Sequence, residues 1–179
     1  MNPRPPELHA LHDAATVQAR IDVLARALDQ DAPRDLLLVV IEEGARYFAE
    51  QLQSRLQRAG HDVESRGLRA RRSRGTTLVQ PELGAFEASA VTDRWVVVVD
   101  DIADEGLTMN AVLHILRPAR PRSLRTAVLV DKPVNRRSRV RLDYVGFTVP
   151  DLWIVGCGMD LDGCHRELEE LTYYAPPEE

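Results

Sequence analysis

At 179 residues, with 44% hydrophobic and 28% charged residues, the chain has the length and composition of one globular domain with a substantial core, and is short for two. A formal net charge of −5 argues against a nucleic-acid partner, although arginines crowd the stretch from Arg66 to Arg74. The longest apolar runs, "LLLVVI" at 36–41 and "WVVVV" at 95–99, are far too short to cross a bilayer, so no membrane partner is expected.

The N-terminal "MNPRPPELHALHD" has no apolar stretch and carries acids and prolines; the expectation is no signal peptide and a cytoplasmic location. Residues 14–30 place Val17, Ile21, Leu24 and Leu28 at helical spacing. After the break "APRD", Leu36 to Ile41 reads as a central strand, apolar on both faces as parallel sheets require. A second amphipathic helix follows over 42–60, with Ala45, Phe48, Leu52 and Leu56 on its apolar face and Gly60 closing it. "HDVESRGLRA" reads as a weak strand, and 71–90 as a long polar loop, a feature more often functional than idle. "RWVVVVDD" is the second strong strand, with a helix from Thr108 to Leu116 behind it. "SLRTAVLVDK" is a third strand, "PVNRRSRVR" a basic turn, "DYVGF" and "DLWIVGCG" two short strands, and "YYAPPEE" a frayed tail. Strands alternating with helices imply right-handed crossovers and a mainly parallel sheet, whose ligands sit beyond the carboxyl ends of the strands.

Two cysteines, Cys157 and Cys164, have neither CxxC spacing nor a secreted context and read as reduced thiols; with His165 they make a poor zinc set in ligand number and spacing. Cation usage is more telling. The chain has 22 arginines and one lysine, Lys132. A sequence that uses Arg for every generic surface cation marks its single Lys as a candidate for a place needing a compact ammonium.

The stretch "VVVVDDIADEGLTM", from Val96 to Met109, carries the chemistry. A strand running through a short loop into a helix offers free amides at the helix N-terminus, which bind phosphate. Gly106 lets backbone approach an anion, and the Thr108 hydroxyl adds a donor. Asp100 and Asp101 would repel phosphate, but suit sugar hydroxyls or a hard cation such as Mg²⁺. A ligand with a phosphate and a vicinal diol, as in a ribose 5-phosphate, satisfies both halves. Taken alone, an acidic pair reads as a solvated strand end; the complete nine-residue pattern is a stronger signal. A Walker A loop and a G-x-G-x-x-G fingerprint are both absent.

"VVVVDDIADEGLT" resembles the phosphoribosyl-pyrophosphate (PRPP) motif of type I phosphoribosyltransferases. "LRTAVLVDKPVNRR" and "DYVGFTVPDLWIVGCGMDLDGCHREL" are similar to the hypoxanthine-guanine branch, over about 85 residues from Trp95 onward. The resemblance implies an α/β fold: a mainly parallel central sheet flanked by helices, with a small hood formed by N-terminal and C-terminal segments. One domain is expected over 1–179, with a helical and hood segment at 1–34, a core at 35–147, and the base-binding hood and tail at 148–179. It also implies Mg²⁺-dependent purine salvage, in which a 6-oxopurine (hypoxanthine, with guanine or xanthine as further candidates) displaces pyrophosphate from PRPP, in a homodimer or homotetramer.

Residue by residue, the resemblance places Asp100 and Asp101 near the ribose hydroxyls and the metal. Asp104 becomes the acid/base at the purine N7, while Glu105, Gly106, Leu107 and Thr108 hold the 5-phosphate. Lys132 donates to the purine 6-oxo group, which favours 6-oxopurines over adenine. Trp153 stacks on the base, Ile154 offers it backbone groups, Asp160 is a further metal-side carboxylate, and Arg166 clamps pyrophosphate. Cys157 and Met159 are packing residues; His114 and His165 are structural or exposed. Two departures stand out. Where the family has a basic or amide residue before Gly44, this chain has Glu42 and Glu43 in "IEEG", adverse beside pyrophosphate. Where the family's mobile loop has a Ser-Tyr pair, this chain has Arg71, Arg72, Ser73 and Arg74, so Arg72 is a candidate for the pyrophosphate side with Gly44 and Arg166. These departures leave open an alternative: a PRPP- or nucleotide-sensing relative that binds without turnover.

Overall fold

The protein is described here by a computed structural model covering residues 7–71 and 81–175. The valine-rich segments form the middle of the fold. Strand β2 (Asp35–Glu42) pairs in parallel with β3 (Asp62–Arg71) on one side and β5 (Trp95–Ala103) on the other. Beyond β5 lie β6 (Ser123–Asp131) and β7 (Tyr144–Thr148), both parallel, and the short β4 (Glu82–Leu83) closes the far edge antiparallel to β3. The resulting order is β4-β3-β2-β5-β6-β7.

Alternate residues of each strand face opposite sides, so a strand apolar at every position must be covered twice. Leu36, Leu38 and Val40, with Val97 and Val99, pack under helices α1 (Ala14–Asp31) and α2 (Arg46–Arg58). Leu37, Val39 and Ile41, with Val96 and Val98, pack under α3 (Leu107–Leu116). Phe48, Leu52 and Leu56 on α2 are completely buried, each worth about 1.5–3 kcal/mol of apolar transfer. Helix α1 starts on an Asp13 cap that accepts the Thr16 amide, and Arg20 ties it to β7 by donating to the Val145 and Gly146 carbonyls. Among the described residues, no helix is long and apolar enough to cross a membrane.

Sequence expectation and structure differ in several places, and the stretch expected as a loop over 71–90 also holds β4 and a 3-10 helix at Ala88–Val91. Helix α2 begins at Arg46, not Glu42, because Glu42 finishes β2 and a turn follows it. The "weak" strand at 61–70 is a full ten-residue partner of β2, since tertiary pairing overrides its polar composition. The supposedly frayed Tyr173 and Tyr174 lie in β9 (Leu171–Tyr174), between β1 (Leu8–His12) and β8 (Trp153–Val155) in a separate antiparallel sheet, β1-β9-β8. That small sheet joins chain segments some 160 residues apart and forms the hood.

Candidate active site

The strand order reverses direction between β2 and β5: one crossover leads from β2 to β3, the other from β5 through β6 to β7. Such a switch point opens a crevice beyond the carboxyl ends of its two strands. In the parallel register Val40 faces Val99, which brings the end of β2 level with Asp100 and Asp101. The contact is close. A Cβ on Gly44 would lie 1.8 Å from Asp101 Oδ2, so any larger residue there would have to push that carboxylate aside. A third segment enters the crevice at Gly158, whose own Cβ would lie 2.1 Å from the Gly44 carbonyl oxygen.

Asp100 is buried and its Oδ1 accepts the Asp101 amide at 3.0 Å; Asp101 Oδ1 accepts the Ile102 amide at 2.8 Å. Burial pushes the Asp101 carboxyl above the ordinary carboxylate range, opposed by the hydrogen bond with Asp100, by backbone donors and by the Arg166 charge. Arg166 is therefore a neighbour of this acid pair. Its Nη2 lies 2.7 Å from Asp160 Oδ1, and its Nη1 donates to the Gly158 carbonyl at 2.8 Å. The other Asp160 oxygen accepts the Gly163 amide.

On the other side of β5, the Lys132 amide donates to the Ala103 carbonyl at 2.9 Å, extending the β5–β6 ladder past its last paired residues. This sets Lys132 and Asp104 side by side at adjacent strand ends. The Lys132 ammonium is buried, 3.9 Å from Asp104 Oδ2 and 2.8 Å from Asp151 Oδ1. Asp104 Oδ1 is buried with no hydrogen-bond partner among the described residues. A buried carboxylate oxygen left without a donor costs about 1–3 kcal/mol, so the position is built to receive one from outside. Trp153, two residues past Asp151, is 55% exposed, unusual for an indole that merely packs in a core. Ile154 beside it is buried.

The loop after Asp104 turns into α3. Gly106, at φ +79°, caps α3 without any side-chain cap, so the first-turn amides face out of the helix end. Behind it, the Glu105 carbonyl accepts the Arg137 and Ser138 amides, and the Glu105 carboxylate pairs with Arg137 at 3.0 Å. Leu107 and Thr108 form the first turn of α3. Arg136, part of the "basic turn" and not singled out in the sequence, pairs with Asp131 and packs against Gly106; its Nη1 is buried without a partner among the described residues. The signal for it was available, as one arginine among several beside the lone lysine, but only the fold selects which one turns inward.

Glu42 does not face the crevice. Its carboxylate lies 3.5 Å from Arg46 and 3.9 Å from Arg69, over Gly67. Arg72 lies outside the described residues. Cys157 is buried, and burial pushes its thiol up to about 12, which makes it a packing residue.

Among the described residues no three His, Cys, Asp or Glu side chains converge on a metal position. Magnesium rarely needs such a cage. It takes one or two carboxylates and completes its shell with water and substrate phosphates, and the oxygens of Asp100, Asp101 and Asp160 suit it.

Comparison with known proteins is consistent along the chain. Residues 8–162 match the family model for the phosphoribosyl transferase domain. A hypoxanthine-guanine phosphoribosyltransferase of Mycobacterium avium is 32% identical over 174 residues, covering 91% of this chain and 83% of the relative. The hypoxanthine phosphoribosyltransferase of Escherichia coli K12 is 30% identical over 86% of this chain and 88% of its own. Among solved structures, a Trypanosoma cruzi hypoxanthine phosphoribosyltransferase in complex with the product IMP superposes with a TM-score of 0.87 at 27% identity, covering 97% of this chain and 98% of that one.

Proposed function

The chain belongs to the phosphoribosyl transferase family, and from that premise we propose that its crevice performs the purine-salvage reaction of the hypoxanthine-guanine branch. A 6-oxopurine attacks C1′ of PRPP through N9. The C1′–N9 bond forms as the bond from C1′ to the pyrophosphate oxygen breaks, and the N7 proton passes to Asp104. The products are a nucleoside 5′-monophosphate and pyrophosphate. The observation that carries this reading is the orphaned, buried Asp104 Oδ1 beside the one lysine of the chain.

The ammonium of Lys132 donates to the 6-oxo group. Adenine would present an amino group there, donor against donor, and is rejected. Trp153 stacks on the purine and the Ile154 backbone meets its edge. The 5-phosphate sits on the amides of Glu105 to Thr108, with the Thr108 hydroxyl as a further donor. Asp100 and Asp101 hold the ribose hydroxyls. Pyrophosphate leaves between Gly44 and Arg166, and Arg72, outside the described residues, is a further candidate for that side. One or two of the Asp100, Asp101 and Asp160 carboxylates would hold Mg²⁺, which would supply charge neutralisation to the leaving group. Catalysis is then mostly positioning and electrostatics around a cationic ribosyl transition state.

A sensor that binds PRPP without turnover is the weaker reading, because base side and phosphate side are both furnished. Two unpaired cysteines fit a reducing cytoplasm, and a homodimer or homotetramer is the assembly that the family resemblance implies. The test is direct. Protein, PRPP and Mg²⁺ are incubated with each purine base, and nucleotide and pyrophosphate are measured. Product is expected with hypoxanthine; PRPP binding with no product from any 6-oxopurine would overturn the assignment in favour of the sensor.

A further inference from the structure

We propose that Asp151 is a positioning residue: it holds the Lys132 ammonium off Asp104, which keeps the ammonium aimed at the purine and Asp104 unpaired for the base proton. This rests on the roles given above to Lys132 and Asp104.

The ammonium has two carboxylates in reach, at 2.8 Å for Asp151 and 3.9 Å for Asp104. Only the shorter distance is a hydrogen bond. Asp151 therefore takes one of the three ammonium protons and Asp104 takes none, which leaves donors for a carbonyl oxygen. Remove Asp151, and the nearest remaining carboxylate is Asp104. A flexible four-carbon stem would let the ammonium close on it, and that single collapse would occupy the base's acceptor and turn the donors from the purine.

The anchor is itself anchored. Asn135 Nδ2 donates to Asp151 Oδ1 at 2.8 Å. The Val149 amide donates to the Asp131 carbonyl at 3.0 Å, fastening the β7–β8 turn to the residue before Lys132, and the Leu152 amide donates to the Pro150 carbonyl at 2.9 Å. The Lys132 ammonium, followed by the Asn135 amide, holds the Asp151 carboxyl below its ordinary range, so it stays an anion wherever the enzyme would work. Trp153 leaves the same turn two residues later. One turn thus fixes both the donor to the purine edge and the stacker on its face.

The experiment compares steady-state kinetics of the full chain as wild type, Asp151→Asn and Asp151→Glu. Asp151→Asn should raise the KM for hypoxanthine roughly five- to tenfold, the scale of one partly exposed charge-assisted hydrogen bond, and leave the KM for PRPP unchanged. Asp151→Glu should restore most of the loss. Because Asp151 is mostly exposed and asparagine keeps an acceptor oxygen for the Lys132 ammonium, the variant's melting temperature should fall by no more than ~2–4 °C, which separates positioning from folding. An unchanged hypoxanthine KM in Asp151→Asn, a parallel rise in the PRPP KM, or no rescue by glutamate overturns the inference while an active wild type leaves the proposed function standing. A wild type without turnover on any purine overturns both.

Discussion

Asp104→Asn should separate activity from stability. The substitution keeps shape and removes the anion that receives the N7 proton. Loss of a positioned acid/base lowers kcat by ~10²–10⁴, or about 3–5 kcal/mol of barrier. The folded state should hardly notice. Asp104 Oδ1 already lies buried without a partner, so an amide oxygen in its place orphans no new acceptor, while the NH₂ takes the Oδ2 position. The attraction lost is that of Oδ2 for Lys132 at 3.9 Å. At an effective dielectric near 20 this is about 4 kcal/mol gross, but most of it offsets the desolvation of the carboxylate, and Lys132 keeps Asp151 at 2.8 Å. A net change of about 1 kcal/mol follows, or ~2–4 °C in a domain of this size. Initial rates with hypoxanthine and PRPP, beside a thermal melt of the same preparation, read both quantities. A variant at full rate refutes the assignment of the base. A variant that is slow and also melts ~10 °C lower refutes the argument that the buried oxygen awaits a ligand.

Lys132→Gln removes the ammonium but keeps a donor of similar reach; kcat/KM for hypoxanthine should fall ~10–100-fold and the preference over adenine should narrow, measured by competition between the two bases. Trp153→Ala should raise the KM for the base ~5–100-fold, the worth of one stacking platform, with little change in melting temperature because the indole is 55% exposed. For the thiols, the sign follows from burial: at pH 8 Cys157 lies well below its raised value of about 12, so it stays protonated and unreactive. Titration with an aromatic disulfide at that pH should therefore consume one equivalent quickly, from exposed Cys164, and a second only in denaturant; two fast equivalents in the native protein would contradict the packing role of Cys157.

The parts of the fold legible in the sequence are those whose signal is local. Helices α1 and α2 and strands β2 and β5 carry their burial pattern in their own periodicity, and Val17, Ile21, Phe48, Leu52 and the Val96–Val99 run are buried as that pattern requires. Strands β1 and β9 have no pattern long enough to read: β1 is a strand by pairing with β9 across the whole chain, and β9 by lying between β1 and β8. The site divides the same way. The acidic loop at 100–108 is one contiguous motif, and Lys132 stood out by composition. Asp151 and Arg136 had no such mark. Their meaning arises where the β7–β8 turn and the loop after Lys132 fold back on the ends of β5 and β6, a three-dimensional coincidence that spacing does not encode.

The departure "IEEG" illustrates how an unfavourable residue in sequence can be neutral in space. Read linearly, Glu42 and Glu43 put two negative charges against a pyrophosphate. In the fold, Glu42 ends β2 pointing along the sheet toward β3, where Arg46 and Arg69 flank its carboxylate at 3.5 and 3.9 Å. The room for it comes from Gly67, since a Cβ at that position would lie 2.2 Å from Glu42 Oε1. Glu43 is exposed, and water screens it. An anion between two guanidinium groups projects little field into the crevice, so the local balance there is set by Arg166 and by the acid pair. What touches Asp101 from the first loop is Gly44, and a larger residue there would displace the carboxylate. Arg46, Gly67 and Arg69 together thus compensate the change in the loop, and the strongest sequence argument for a silent site loses its electrostatic force.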